Sequence, residues 1–231
     1  MTVGNNIPKL AALVPMRHES ERVPGKNYRP LAGKPLYAHI LDTLQQCPEI
    51  ERIVVDTDSP IIKQGIRTDF PGVVLLDRPQ HLRGGHVPMN QVLMHDATEV
   101  PAQFYLQTHS TNPLLKAGTI SKALEIFFAA FPENDSLFSV TQLQARLWNA
   151  ETEPLNHDPA ELVRTQDLAP VFIENSCLYL FERESFLQHG NRIGDSPIKF
   201  EIEPNEAIDI DQESDFSLVE CLSQPTATSP R

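Results

Sequence analysis

The sequence predicts an α/β protein with a mostly parallel central sheet, and two observations lead to this fold class. Short apolar runs alternate along the chain with longer segments whose apolar residues recur at helical spacing. The apolar runs are bounded by proline, glycine and charged residues, as expected where strands end in turns. Strands that alternate with helices are typical of parallel sheets with helices on both faces. Ligands bind such sheets beyond the carboxyl ends of the strands, so we expect the functional residues in those loops.

Four strand–helix pairs are predicted in the first part of the chain. Pro35 suits the first turn of the first helix, in which Leu36, Ile40 and Leu44 recur on one face. The Ser59-Pro60 pair is a start signal for the second helix. The predicted strands cover residues 10–16, 52–58, 72–76 and 104–108, and the predicted helices cover residues 35–47, 59–70, 87–100 and 117–131.

The alternation breaks between Gln142 and Pro170. This stretch is polar, contains prolines and carries the only tryptophan, Trp148. We interpret it as an arm that projects from the sheet and provides a partner surface. One domain is predicted for residues 8–222, including the arm, and a flexible tail for residues 223–231. The remaining predicted strands cover residues 136–141, 177–181, 198–203 and 207–211, and the remaining helices cover residues 183–189 and 212–222.

The acidic composition limits the classes of partner. The chain has a formal net charge of −12, whereas nucleic-acid-binding proteins present a broad basic face. No stretch approaches the roughly 20 apolar residues of a membrane span, and the first residues lack a signal-peptide pattern. Three widely spaced cysteines (Cys47, Cys177 and Cys221) are typical of buried thiols in a reducing cytoplasm. We therefore expect a cytoplasmic protein that binds neither nucleic acid nor membranes.

A basic loop follows the first predicted strand. Residues 17–34 contain five basic residues and only two glutamates, although the whole chain is acidic. The P-loop pattern is excluded, because Asn27 follows the Gly25-Lys26 pair where that pattern requires serine or threonine. The dinucleotide pattern G-x-G-x-x-G is absent as well. The loop is therefore a long strand-to-helix connection of another kind.

The cations of this loop favour a polyphosphate ligand. Arg17, Arg22 and Lys26 stand at its start, middle and end, and Ser20 can donate a hydroxyl hydrogen bond. Two unit charges about 4 Å apart near a protein surface interact by ~4 kcal/mol, so three nearby cations outweigh distant acidic groups. The alternative is an ordinary solvated charged loop.

An acidic pair lies near the end of the chain, in a run predicted as a strand end. Because strand side chains alternate, Asp209 and Asp211 would share one face while Ile208 and Ile210 point into the core. Two carboxylates on one face suit Mg²⁺, which prefers oxygen ligands. The alternative is that Asp211 caps the helix that begins near Gln212.

Together, the basic loop and the acidic pair predict a site for nucleotidyl transfer. In that chemistry a metal ion and nearby cations stabilise the charge on a displaced pyrophosphate. The prediction requires the two segments to face each other across one cleft.

Six motifs, in order along the chain, resemble those of the acylneuraminate cytidylyltransferases, also called CMP-acylneuraminate synthetases. The resemblance spans Leu10 to Leu222 and implies a Rossmann-like nucleotidyltransferase fold. It also implies a reaction in which CTP and an α-keto sugar acid give the CMP-sugar and pyrophosphate, with Mg²⁺. The arm would be a dimerisation segment that reaches over the site of the neighbouring copy. The motifs are VPMRHESERVPGKNYRPLAGKPL, IVVDTDSPII, DRPQHLRG, RTQDL, IENSCLYLF and AIDIDQESDF.

The resemblance implies roles for the residues at matching positions. Arg17, Lys26 and Asp211 would be catalytic, with Asp211 helping to activate the attacking hydroxyl, and Asp209 and Asp211 would hold the metal. The nucleotide would contact Arg17, Ser20, Arg22, Lys26 and Arg78, with Asn27 bracing the loop. The sugar side would be lined by Gln107, Thr111, Asn112, Arg164, Gln166 and Asn175. His109, which follows the predicted strand 104–108, is either a sugar contact or a structural hydrogen-bonding histidine.

Three departures from the family pattern cluster where the sugar would bind. Gly85 stands where an acidic residue is common, Leu115 where arginine is common, and Ser176 replaces a usual glycine. They leave the nucleotide half of the resemblance intact and leave the identity of the sugar open.

We therefore predict a homodimeric, Mg²⁺-dependent cytidylyltransferase that activates a nonulosonate or related keto sugar acid for surface polysaccharide synthesis. One alternative is an enzyme with the same reaction on 3-deoxy-manno-octulosonate. The other is a nucleotide-binding regulator that has kept the fold and lost catalysis, which the departures at Gly85 and Leu115 would favour.

Overall fold

The computed structural model describes residues 9–161 and 163–223 of the chain. In these residues strands and helices alternate up to the seventh strand, largely as the sequence predicts. The strands are β1 (Leu10–Leu13), β2 (Pro30–Leu31), β3 (Lys34–Pro35), β4 (Arg52–Thr57), β5 (Val74–Asp77), β6 (Phe104–Thr108), β7 (Ser136–Leu143), β8 (Val171–Glu182) and β9 (Pro197–Glu201). The helices are α1 (Leu36–Gln45), α2 (Pro60–Asp69), α3 (Met89–Glu99), α4 (Ala117–Ala130), α5 (Arg183–His189) and α6 (Glu213–Leu222).

Seven of the strands form one sheet, in the order β5-β4-β1-β6-β8-β7-β9. Six of them run in one direction, and β8 alone runs opposite, between β6 and β7. The two-residue strands β2 and β3 form a separate antiparallel pair. The predicted α/β fold with a mostly parallel central sheet is therefore confirmed.

Helices cover both faces of the sheet, so its central strand β1 is buried on each side. Alternate residues of β1 belong to different cores: Leu10 and Ala12 pack with α1, α2 and α4, whereas Ala11 and Leu13 pack with α3 and α5. All four side chains are at most 1% exposed. A fully apolar strand is what a parallel sheet between two helix layers requires, since neither face of the strand meets water.

Two predicted boundaries differ from the structure because of long-range strand pairing. Strand β7 continues to Leu143, and β8 begins at Val171, since these two residues pair with each other at the far end of the ladder. The arm predicted for residues 142–170 therefore begins after Leu143. The prediction that residues 207–211 are the end of a strand is wrong, because they form a loop that joins no sheet.

The cysteine prediction is correct for two of the three residues. Cys47 and Cys177 are buried thiols, and burial raises the pKa of Cys47 to about 11 and that of Cys177 to about 12. Cys221 is exposed on α6, so the prediction of a buried thiol there is wrong. None of the three forms a disulfide.

The helices within residues 9–161 and 163–223 include none that is long and apolar enough to cross a membrane.

The arm between β7 and β8 exposes large apolar side chains. Trp148 is 48% exposed, Leu155 is 61% exposed and Val163 is 37% exposed. Its described residues have little regular structure beyond a bridge between Trp148 and Pro154 and one short 3-10 turn. Exposed apolar groups that recur along one segment are typical of a surface that is covered by a partner. That the arm joins two copies stays a prediction.

The predicted dimer can be tested with Leu155→Glu. The new carboxylate would be stranded in an apolar interface, so the dimer should dissociate to monomers at concentrations where the unmodified protein stays dimeric. Light scattering coupled to size-exclusion chromatography measures this directly. Leu218→Glu is the matched control, because Leu218 is a similarly exposed leucine on α6, outside the arm. A monomeric unmodified protein would rule out the interface.

Candidate active site

A cleft of about 290 Å³ opens at the carboxyl ends of β1 and β6. Its walls come from the loop after β1, the loop after β6, the residues that follow β5 and the loop before α6. The structure therefore brings together segments from the beginning, middle and end of the chain. The cleft contains nine of the residues predicted for the site: Arg17, Ser20, Lys26, Asn27, Arg78, His109, Thr111, Asp209 and Asp211.

The basic loop is held against the β6 end of the cleft by Asn27. The Asn27 Nδ2 donates to the carbonyl of Arg17 over 2.7 Å, and Ser110 Oγ donates to Asn27 Oδ1 over 2.8 Å. Gly25 precedes this point with φ +66°, a left-handed conformation that suits glycine. Asn27 thus ties the start of the loop to the segment that follows β6.

Lys26 and Arg22 of the basic loop contact Asp211 of the acidic pair. Lys26 Nζ donates to the carbonyl of Ile210 over 2.6 Å and lies 3.2 Å from Asp211 Oδ1. Arg22 Nη2 lies 2.9 Å from the same oxygen. The Lys26 side chain is 12% exposed and that of Arg22 is 63% exposed, so water and salt screen the arginine pair far more. The two oppositely charged segments therefore face each other across one cleft.

The acidic pair lies on a loop that docks onto the segment after β6. The backbone N–H of Ile210 donates to the carbonyl of Thr111 over 2.9 Å. Ile210 is fully buried, whereas Asp209 and Asp211 both line the cleft. The predicted alternation of side chains is therefore present even though the segment is not a strand.

A buried carboxylate anchors the same loop further upstream. Glu206 is 5% exposed and accepts hydrogen bonds from the backbone N–H of Lys116 and from Thr119 Oγ1, at the start of α4. Burial raises the pKa of Glu206, but its hydrogen bonds and the charge of the Lys116 ammonium lower the pKa by more. The net shift is therefore downward. The start of α4 and the acidic loop are thereby held together.

Asp211 does not cap the last helix. Gln212 occupies the N-cap of α6, and its side chain accepts from the backbone at Asp215, whose own carboxylate accepts from the backbone of Gln212. The alternative role for Asp211 is therefore wrong, and its carboxylate remains in the cleft.

Within the described residues Asp209 forms no ion pair, whereas Asp211 pairs with Arg22 and Lys26. Burial raises its pKa, and the neighbouring carboxylate of Asp211 raises it further, while a hydrogen bond from Thr111 and the charge of Lys26 oppose both. An elevated carboxyl pKa means that a nearby positive charge would be favourable at this position.

A buried charged cluster stands behind Arg78 in the wall of the cleft. Arg78 is 3% exposed, and its Nε donates to Asp56 Oδ1 over 2.9 Å. Asp96 lies beside Asp56, and within the described residues both Asp96 oxygens and Asp56 Oδ2 lack a hydrogen-bond partner outside the pair. Asp56, His95 and Asp96 each offer one potential metal-ligand atom, and these three atoms lie within 4.8 Å of one another. Arg78 already supplies a positive charge to these carboxylates.

Gly85 lies directly against Arg17. A Cβ atom at residue 85 would come within 2.9 Å of Arg17 Nη1 and 3.5 Å of a Glu21 carboxylate oxygen. Arg17 makes no ion pair with any carboxylate in the described parts of the chain. The glycine therefore leaves this guanidinium open to the cleft.

The residues predicted for the sugar side divide into three groups. His109 and Thr111 line the cleft. Gln107 and Asn112 are buried beside it, where Asn112 Nδ2 donates to the carbonyl of Ile208 over 3.3 Å. The other three predicted residues lie away from the cleft of their own chain: Arg164, Gln166 and Asn175.

Each of these three has another environment. Arg164 pairs with Asp167 on the arm over 2.7 Å, and Gln166 is exposed in the adjacent 3-10 turn. Asn175 lies on β8, where its side chain bonds to Ser139 and Thr141 of β7. Arg22 also contributes to an adjoining cavity and not to the main cleft.

Sequence reasoning missed the partners that lie behind the cleft. Asp56 and Asp96, which surround Arg78, were assigned no role, and neither was Arg192, which bonds to Gln107. A charged residue at an otherwise apolar strand or helix position was the available signal for the two aspartates, since such residues are buried only when paired. The sequence carried no comparable signal for Arg192.

Comparison with known proteins gives one family. A family model described as cytidylyltransferase matches residues 11–228. N-acylneuraminate cytidylyltransferase A of Danio rerio is 23% identical over 218 residues, which cover 91% of this chain and 50% of that protein. CMP-N,N'-diacetyllegionaminic acid synthase of Legionella pneumophila is 26% identical over 228 residues, covering 94% and 97%. The chain thus spans about half the length of its fish relatives and nearly all of the Legionella relative.

A solved structure supports the fold assignment. CMP:2-keto-3-deoxy-manno-octonic acid synthetase complexed with CTP superposes on this chain with a TM-score of 0.69 and 17% sequence identity. The match covers 93% of this chain and 98% of the other. The two proteins therefore share a fold.

The buried Asp56–Asp96 pair predicts a pH dependence of stability. Burial and the Asp56 carboxylate raise the pKa of Asp96 well above its usual value, so the folded protein keeps a proton that the unfolded chain releases above about pH 4. The free energy of unfolding should therefore fall as pH rises from the unfolded pKa through the folded one. Asp96→Asn, which has no proton to lose, should show a smaller decrease between pH 5 and pH 8 in urea titrations.

The matched control for this measurement is Asp69→Asn, which removes an exposed carboxylate at the end of α2. It should leave the pH dependence of the unmodified protein in place. Equal pH dependence in Asp96→Asn and the unmodified protein would contradict the assignment of the proton to Asp96.

Proposed function

This chain belongs to the cytidylyltransferase family, and from that premise we propose that it transfers the cytidylyl group of CTP to a keto sugar acid. The products would be a CMP-activated sugar acid and pyrophosphate. One observation carries the proposal: Lys26 and Asp211, from opposite ends of the chain, meet in a cleft that Asp209, Arg17 and Arg78 also line. Transfer of a nucleotidyl group needs cations for the triphosphate and carboxylates for a metal at one place.

The nucleotide would bind along the basic loop. Arg17 has no carboxylate partner in the described residues, and Lys26 and Arg22 share Asp211, so a triphosphate could recruit all three cations. Ser20 and Arg78 line the same cleft, and Asn27 holds the loop in place. An adjoining cavity of about 480 Å³, lined by Arg22 and His86 among others, gives room for the phosphates.

Asp209 and Asp211 would hold Mg²⁺. The donor set fits this ion, because both groups are carboxylates on one side of a loop and both line the cleft. The raised pKa of Asp209 supports the fit, since a divalent cation would stabilise its ionised form. When bound, the ion would supply positive charge to the phosphates during the transfer.

The proposed reaction forms one bond and breaks another at the α-phosphorus. The anomeric hydroxyl oxygen of the sugar acid attacks the α-phosphorus, and the bond to the oxygen that bridges the α- and β-phosphates breaks. Asp211 would orient the hydroxyl and accept its proton as the oxygen–phosphorus bond forms, and the pyrophosphate would leave with the electron pair of the broken bond. Lys26 and Arg17 would stabilise the negative charge that accumulates on the departing pyrophosphate.

The sugar acid would lie at the β6 end of the cleft, beside His109 and Thr111. The predicted residues Arg164 and Gln166 are exposed on the arm and lie outside the cleft of their own chain. We propose that they reach the site of a second copy in a homodimer. A cytoplasmic location is also proposed, and the absence of a disulfide among the three cysteines supports it.

A second substrate is favoured by a specific observation. The structural neighbour described above is named for 2-keto-3-deoxy-manno-octonic acid, and a relative from Hydrogenovibrio crunogenus is named 3-deoxy-manno-octulosonate cytidylyltransferase. Both substrates are keto sugar acids, so the same cleft chemistry serves either. Nonulosonates and the eight-carbon acid must therefore both be tested.

The proposal is tested by pyrophosphate release from protein, CTP, Mg²⁺ and a panel of nonulosonates and 3-deoxy-manno-octulosonate. We expect release with one class of acid, and its loss when Mg²⁺ is chelated. Asp211→Asn should abolish turnover while CTP still binds, because it removes a metal ligand but leaves the cations of the loop. Glu213→Gln is the matched control, since this carboxylate lies two residues away and pairs with Arg29 outside the cleft.

Two outcomes would contradict the proposal. Binding of CTP without release for any acid would favour a nucleotide-binding regulator. Near-normal turnover of Asp211→Asn would contradict the metal assignment.

Gly85→Asp should weaken CTP binding by about tenfold. The new carboxylate would meet the Arg17 guanidinium and compete with the triphosphate for its charge, an effect of about 1.4 kcal/mol. Isothermal titration calorimetry measures the affinity. Gly72→Asp is the control, because a side chain at this exposed glycine meets nothing within 4 Å. Equal affinities of the two variants would show that Arg17 does not contact CTP.

A further inference from the structure

A chain of polar side chains runs from Arg192 through Gln107 to His109, at the β6 end of the cleft. Arg192 Nη1 donates to Gln107 Oε1 over 2.5 Å, and Gln107 Nε2 lies 2.9 Å from His109 Nε2. Gln107 is fully buried, and the Arg192 guanidinium stacks over the ring of Tyr179 at 3.6 Å. Stacking and burial leave these side chains little freedom to rearrange.

The chemistry of two neighbours decides which way the Gln107 amide points. Arginine has only hydrogen-bond donors, so the amide atom that faces Arg192 must be the oxygen. The carbonyl of Thr108 can only accept, and it lies 3.2 Å from the other amide atom, which must be the nitrogen. The two neighbours demand the same orientation independently, and it follows that Gln107 donates to His109.

We infer that His109 presents Nδ1–H to the cleft as a neutral hydrogen-bond donor, and that Arg192 is the positioning residue that fixes this tautomer through Gln107. Because Gln107 donates to Nε2, that nitrogen must be an acceptor, and a neutral imidazole then carries its proton on Nδ1. The substrate side of the inference rests on the proposed function. The hydroxyl and carboxylate oxygens of a keto sugar acid are acceptors for such a donor.

The surroundings of His109 support this role. The side chain lines the cleft next to Ser110 and Thr111, and its Nδ1 makes no hydrogen bond within residues 9–161 and 163–223. Burial, together with the positive charges of Arg192 and Lys26, lowers the pKa of His109 to about 4, although Asp211 opposes the shift. His109 can therefore bind an acceptor oxygen without adding a further positive charge to the cleft.

Nitrogen-15 NMR of the histidine-labelled free protein tests the tautomer at pH 7. The His109 signal is assigned by its loss in His109→Gln, and it should show a protonated Nδ1 and an unprotonated Nε2. In Gln107→Glu a carboxylate of the same shape accepts from Arg192 and from His109, so the His109 proton should appear on Nε2. Protonated Nε2 in the unmodified protein, or an unchanged spectrum in Gln107→Glu, would overturn the inference.

Arg192 is tested in the same way. Arg192→Met removes the closer of the two groups that orient the amide and leaves only the 3.2 Å contact with the Thr108 carbonyl, so a population of the Nε2–H tautomer of His109 should appear, and Arg192→Lys should restore the single form. Arg183→Met is the matched control, because Arg183 is a partly buried arginine at the start of α5, outside the cleft. A single Nδ1–H form in Arg192→Met would overturn the positioning role.

Kinetics then connect the tautomer to the substrate. Arg192→Met should raise KM for the sugar acid about twofold or more, in inverse proportion to the fraction of His109 that keeps the Nδ1–H form, and leave KM for CTP unchanged. An equal rise in both constants would overturn the placement of His109 on the sugar side. The NMR result needs no substrate, so an Nδ1–H tautomer without turnover contradicts the proposed function alone. Turnover with the other tautomer overturns this inference alone.

Discussion

The contact between Lys26 and Asp211 is the constraint on which the rest of the site depends. It joins residues 185 positions apart, on two loops that belong to no sheet strand. The lysine is nearly buried, so the pair is less screened than the neighbouring contact of Arg22. The sheet makes this contact achievable, because β1 and β6 are adjacent and parallel, and their following loops emerge side by side. The acidic loop then docks on the β6 side through Ile210 and Glu206.

A cleft of mixed charge has a consequence for the ligand it selects. Cations alone would attract any small anion, but Asp209 and Asp211 repel an anion that arrives without a metal ion. Carboxylates alone would bind a divalent ion without reference to phosphates. In the proposed site the combination would favour a metal-bound polyphosphate over either component, because only that ligand would satisfy both charged segments at once. The proposed polyphosphate site is compatible with a chain of net charge −12, because basic residues are concentrated in one loop of the cleft.

The sequence predicts the fold and the front of the site better than it predicts what lies behind the site. Local patterns were sufficient for the alternating strands and helices and for the face shared by Asp209 and Asp211, since side-chain alternation depends on neighbouring residues only. The length of β8 was not predictable in this way, because its first residues are extended only through pairing with β7 across a long connection. The 207–211 loop has strand-like composition but finds no ladder, which only the tertiary fold decides.

Asp56, Asp96 and Arg192 were missed for the same physical reason, and they take part in one shared arrangement. Arg78 is oriented by Asp56, and His109 by Gln107, in each case a fully buried polar residue that is itself bounded on its far side, by Asp96 and by Arg192. A buried polar group is costly unless its partners are complete, so each such chain restricts the group that faces the cleft to a single orientation. Asp56 lies 22 residues from Arg78 and Arg192 lies 85 residues from Gln107, beyond the reach of any local pattern. The orientation of the groups that face the cleft therefore depends on residues that do not line it, and the roles that the family resemblance implies do not extend to Asp56, Asp96 or Arg192.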